Sequence, residues 1–118
     1  MRMIRLDTKV ANFEVVNSDG TAMNLTGATV RFTAKWEHTD ADADAVIKLD
    51  NAGFGGVTVN SPATEGTGVI TIPKTATTSL PLHRVDLVYD LKVKTASGTE
   101  HTVSRGLLIV YPNVTSTV

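Results

Sequence analysis

The chain has 118 residues, 42% hydrophobic and 19% charged, with 11 basic residues against 12 acidic ones for a net charge of −1. That length suits a single domain, 1–118, able to bury a core unaided, and the mixed charge excludes both a disordered polyelectrolyte and a basic stripe for nucleic acid. No cysteine is present, so disulfides and thiolate chemistry are excluded.

The N-terminal segment is positively charged but has neither a continuous apolar stretch nor a small-residue cleavage site, so no signal peptide is expected. No apolar run approaches the roughly 20 residues that cross a bilayer. A protein made in a cytoplasm, without a membrane partner, is the expectation.

Ile4 to Leu6 can form a short strand, and Val10 to Val16 is the first clear extended run. Asn17-Ser18-Asp19-Gly20 ends it with a strong turn signal. From Ala28 to His38, Val30, Phe32, Ala34 and Trp36 alternate with Arg31, Thr33, Lys35 and Glu37. This period of two marks a strand with one buried face, and it predicts Trp36 as a core anchor.

Asp40 to Asp44 reads as a charged loop, Ala45 to Leu49 as a strand, and Asp50 to Gly56 as a glycine-bearing turn. Val57 to Asn60 then pairs with Gly68 to Ile72 through the loop from Ser61 to Gly66. Thr75 to Leu82 is the one candidate helical turn, since threonines and Pro81 oppose anything longer.

The last elements are the most regular. Val85, Leu87, Tyr89, Leu91 and Val93 share one face, Ala96-Ser97-Gly98 supplies a turn, and Thr99 to Tyr111 returns as a run rich in β-branched residues. This hairpin is expected at the centre of an antiparallel sheet. Seven or eight strands at such spacing predict an all-β fold, an antiparallel immunoglobulin-like β-sandwich, with a small β-barrel as the alternative.

Candidate chemical sites are sparse. Asp40, Asp42 and Asp44 have the spacing of the first carboxylates of a calcium loop, but Ala45 and Asn51 stand where glycine and glutamate would complete it. A solvated acidic loop is the competing reading. His38, His83 and His101 match no zinc spacing, and none of Ser79, Ser97 and Ser104 lies in a nucleophile elbow. Gly53-Phe54-Gly55-Gly56 lacks the Lys-Ser/Thr of a phosphate loop and reads as a turn or bulge. Glycines 27, 98 and 106 are assigned to turns or bulges. The two sequons at Asn24 and Asn113 have no role without a secretory route. No cofactor is expected, and no catalytic residues.

An ordered series of short motifs carries a family likeness. It runs through Asp19-Gly20, Leu25-Thr26-Gly27-Ala28-Thr29-Val30-Arg31-Phe32, an acidic loop, Gly68-Val69-Ile70-Thr71-Ile72-Pro73 and a threonine-rich turn. It continues through Val88-Tyr89-Asp90-Leu91-Lys92-Val93, Gly98-Thr99 and Arg105-Gly106 to Val110-Tyr111-Pro112-Asn113-Val114-Thr115. Over residues 10 to 115 this resembles the immunoglobulin-like N-terminal domain of phage baseplate upper proteins and small phage structural proteins built on it.

The resemblance implies a non-enzymatic tail, baseplate or adaptor component of a phage or prophage particle, located in the virion and assembled in the host bacterial cytoplasm. Its partners would be other phage structural proteins or further copies of itself. A carbohydrate- or surface-binding β-sandwich module is the alternative, for which exposed aromatics would speak. Residues 113–118 are read as a flexible tail, with strand addition to a neighbour as the competing reading.

Overall fold

The structure, a computed structural model, describes residues 1–115. Their strands are β1 (Arg2–Ile4), β2 (Lys9–Glu14), β3 (Thr29–Lys35), β4 (Ile47–Asp50), β5 (Val57–Val59), β6 (Thr67–Ile72), β7 (Val85–Lys94) and β8 (Glu100–Tyr111). They form a five-stranded sheet in the order β1-β8-β7-β3-β4 and a three-stranded sheet in the order β2-β6-β5. Two facing sheets enclose one core, so the molecule is a β-sandwich and not a closed barrel.

Alternation builds that core. Val30, Phe32 and Ala34 of β3, Val85, Leu87, Leu91 and Val93 of β7, and Leu108 and Val110 of β8 are buried. Ile70 and Ile72 of β6 and Val57 of β5 meet them from the other sheet. Each of these side chains except that of Ala34 contributes about 1.5–3 kcal/mol through burial.

Three local features hold the layers in place. The Asn51 side chain extends the ladder where β4 has ended: its amide nitrogen donates to the Ala28 carbonyl at 2.9 Å, and its oxygen accepts from the Val30 N–H at 2.9 Å. Gly68 faces Phe13 across β2 and β6, and a Cβ there would occupy the space of the Phe13 ring. The Arg5 guanidinium joins three segments, donating to the Leu80 carbonyl (2.8 Å), the Thr78 carbonyl (2.8 Å) and Asn113 Oδ1 (2.9 Å).

Several expectations need correction. The β1–β8 pair is parallel, with Met3 opposite Val110, so the larger sheet is mixed. The cause is connectivity: β1 has no hairpin to β8, and the chain turns away through Leu6, in the left-handed region at φ 68°, toward β2 in the other sheet. Leu6 is held there by its N–H, which donates to Oγ1 of the buried Thr77 at 2.9 Å.

Trp36 is not a core anchor. β3 ends at Lys35, and a turn closed by Asp40 N–H to the Glu37 carbonyl (3.0 Å) lifts the chain off the sheet. The indole is left 47% exposed.

The helical turn covers Lys74–Thr77 as 3-10 helix directly after Pro73, rather than Thr75 to Leu82. β4 begins at Ile47, two residues later than expected, because Asp42–Asp44 coils into a 3-10 turn ahead of it, and a further such turn lies at Ala63–Glu65. The β7–β8 hairpin lies inside its sheet as expected, with β7 the central strand. Gly27 and Gly98 have the positive φ of turn positions, whereas Gly106 lies in β8 beside Tyr89, away from the bulge at Val103. Of the 113–118 tail, Asn113 is tied to Arg5, and residues 116–118 lie outside the described residues.

Candidate functional site: the outer groove of the five-stranded sheet

Arg31, Thr33 and Lys35 of β3 and Asp90, Lys92 and Lys94 of β7 turn to the outer face of the large sheet. Register sets Arg31 of β3 beside Lys92 of β7, Thr33 beside Asp90, and Asp90 in turn beside Arg105 of β8. Val88 and Leu107 pair at the apolar end. The sheet's twist makes this face concave, an open groove of about 940 Å³.

Charge in the groove is largely compensated. Arg31 Nη2 lies 3.5 Å from Asp50 Oδ2, and Lys92 Nζ lies 3.7 Å from Glu100 Oε1. Arg105 makes no ion pair among the described residues. The face therefore carries both signs, although Arg31 and Lys92 lie side by side on it.

Asp50 is the buried acid of this region. Its Oδ1 accepts the N–H groups of Ala52 (2.9 Å) and Phe54 (3.0 Å), folding the loop Asn51 to Gly56 around itself. Burial alone would raise its pKa, yet the backbone N–H groups of Ala52, Phe54 and Gly55, with Arg31 beyond them, hold the carboxyl below its usual value. Gly53 to Gly56 is thus a turn organised on a carboxylate, with no helix following it.

Of the three candidate carboxylates Asp40, Asp42 and Asp44, only that of Asp42 meets a cation, Lys35 of the protein itself. Lys35 Nζ donates to the Asp40 carbonyl at 2.8 Å and to Asp42 Oδ1 at 2.7 Å. That hydrogen bond and charge lower the Asp42 pKa. The Asp40 carboxylate accepts the Glu37 N–H at 3.2 Å. Among the described residues no three His, Asp or Glu side chains converge as metal ligands.

The histidines remain apart. His38 lies at the groove wall, His83 Nδ1 is 2.9 Å from the Arg84 carbonyl, and His101 stands exposed on β8. No Ser79, Ser97 or Ser104 hydroxyl meets a histidine among the described residues; Ser97 bonds to Thr95 Oγ1 at 2.9 Å.

The aromatics are also dispersed. Tyr89 stacks on Phe32 with centroids 5.4 Å apart, Tyr111 lies under Arg84, and Phe54 under Lys48. Trp36 is exposed but is not part of the groove wall.

Arg31, Thr33 and Lys35 of the groove are visible in the sequence as outward positions of their strand. The gathering of the groove residues is not, because it depends on the register of the β7–β8 hairpin against β3, which lies far earlier in the chain.

No family model and no curated protein matches this chain. Among solved structures it is similar to the N-terminal domain of phage TP901-1 ORF48, at 14% identity, with 94% of this chain and 81% of that chain covered and a TM-score of 0.48.

Proposed function

We propose that this chain is a non-enzymatic structural component of a phage or prophage particle, a tail, baseplate or adaptor protein that works through protein–protein contacts. The observation that carries the reading is where the ordered motif series falls. Leu25 to Phe32 leads into and forms β3, Gly68 to Pro73 forms β6, Val88 to Val93 lies in the central β7, and Arg105-Gly106 lies beside it in β8. The likeness is thus spread over the framework of both sheets rather than over a variable loop.

Surface chemistry agrees with such a role. The large groove offers mixed, mostly compensated charge and an apolar end at Val88 and Leu107, a suitable seat for another protein. The partners would be other virion proteins, and assembly would take place in the host bacterial cytoplasm.

Mass spectrometry of purified particles from the producing strain tests this directly. The protein is expected at a fixed stoichiometry in intact particles, and its deletion is expected to leave tail or baseplate assembly incomplete. Absence from particles that still assemble normally would overturn the proposal.

One observation favours a second reading, a carbohydrate- or surface-binding module: Trp36, the sole tryptophan, is half exposed. Its fluorescence is therefore a direct reporter. A saturable shift on glycan titration, with glycan binding measured by calorimetry lost in Trp36→Ala, is the result this reading requires.

A further inference from the structure

The edge of the large sheet is covered over only part of its length. β8 runs from Glu100 to Tyr111, yet β1 pairs only with Ile109, Val110 and Tyr111. Met1 adds two bonds, its ammonium to the Leu107 carbonyl at 3.1 Å and its carbonyl to the Ile109 N–H at 2.9 Å. Residues 100–106 have no strand on that side among the described residues. A bare run of this kind is a template for another strand.

The direction of its backbone groups follows from the pairing. Leu107 and Ile109 use their carbonyl and N–H toward β1, so by alternation Arg105 also points away from β7. At Val103 a bulge intervenes, since Ser104 sits opposite Leu91 but Thr102 opposite Lys92. The parity shifts by one residue there. Thr102 and Glu100 then carry the outward backbone groups, and their side chains share the groove face with Arg105.

Charge then selects an occupant. In an antiparallel pairing of this edge with itself, one register sets Glu100 opposite Arg105 of the partner subunit, and the two-fold axis makes that contact twice. Both residues have outward backbone groups and lie on the same face, so hydrogen bonds and ion pairs coincide. Registers that place Glu100 on its own copy, or Arg105 on its own copy, oppose like charges and are disfavoured. The segment Glu-His-Thr-Val-Ser-Arg-Gly holds no proline to block pairing.

We propose that the β8 edge, residues 100–106, pairs with the same edge of a second copy of this chain, antiparallel about a two-fold axis, with Glu100 opposite Arg105 of the partner subunit. Two five-stranded sheets then become one continuous sheet, and the two outer grooves lie side by side on the same face. The pairing does not rest on the particle reading, because it requires only this chain. A short edge contact buries less than the roughly 1,200 Å² of a standard interface, so the dimer is reversible and concentration-dependent.

Sedimentation velocity on the full chain between about 10 µM and about 1 mM, the range of weak interfaces, provides the test. The wild type is expected to pass from monomer to dimer across that range. Glu100→Arg and Arg105→Glu each place like charges at both contacts and are expected to weaken the dimer about tenfold or more. The double variant Glu100→Arg/Arg105→Glu restores opposite charges and is expected to recover the dimer. Thermal melts of each variant establish that the fold is intact. A wild type monomeric at the upper concentration, a dimer indifferent to either single swap, or a double variant no better than the singles would each overturn the proposal. Failure of this test leaves particle incorporation, read separately by mass spectrometry, unaffected.

Discussion

Replacing Asp50 by alanine removes the acceptor on which the 51–56 loop is folded. The side chain is 5% exposed and receives the Ala52 and Phe54 N–H groups, with Arg31 at 3.5 Å. A hydrogen bond to a charged group is worth about 1.5–3 kcal/mol, but loop N–H groups released by the mutation regain some water. The expected net loss is about 2–4 kcal/mol, an effect of the size left by unsatisfied buried groups. For a chain of this length that lowers the melting temperature by about 10 °C.

The carboxyl is held below its usual pKa in the fold, so ionised Asp50 stabilises the native state above the unfolded value of about 4. That contribution is lost as pH falls through the lower, folded value. Asp50→Asn keeps one acceptor oxygen and loses the charge, so it should cost less than alanine at neutral pH. The stability gap between wild type and Asp50→Asn should also narrow as pH drops below about 4. Urea unfolding of the three proteins across pH measures both effects. A loss under about 0.5 kcal/mol for Asp50→Ala, the range of a neutral surface change, or a gap that does not narrow with pH, would refute the reasoning.

Other perturbations follow from the packing. Gly68→Ala drives a methyl group into the Phe13 ring and against the Thr58 carbonyl and should cost about 1–3 kcal/mol by chemical denaturation, with only the part due to the ring relieved in a Phe13→Leu background. Arg5→Ala frees the carbonyls of Thr78 and Leu80 and should cost about 2–3 kcal/mol. Arg5→Lys should recover little of this, because an ammonium cannot reproduce the three-way fork. Thr77→Val keeps the shape but leaves the Leu6 N–H without its acceptor, for an expected loss of about 1–2 kcal/mol. In contrast, Trp36→Ala should change stability by less than about 1 kcal/mol, since half of the indole already faces water.

The β7–β8 hairpin was legible because its alternation is long and its turn is marked by Ala96-Ser97-Gly98; the Thr95 N–H and Thr99 carbonyl indeed close it at 2.9 Å. Trp36 was misread because the same alternation was carried one residue past the end of β3. The Glu37–Asp40 turn that ends the strand depends on hydrogen bonds that no periodicity records. Asp50 and Asn51 looked like ordinary turn residues. Asp50 does act locally, through the Ala52 and Phe54 N–H groups, but the role of Asn51 comes from the 28–30 segment, far earlier in the chain, which the fold brings alongside.

Period-two patterning determined that the chain is all-β, most of the side chains that enter the core, and where most turns fall, because each is a local property of neighbouring residues. Tertiary structure alone decided the parallel placement of β1 on β8 and the division into sheets of five and three strands. It also made Lys35 the cation of the acidic loop and left 100–106 as a bare edge beside the groove. All of these depend on which strands become neighbours, and that choice is made by burying the faces of both sheets together, a nonlocal condition that alternation within one strand does not contain.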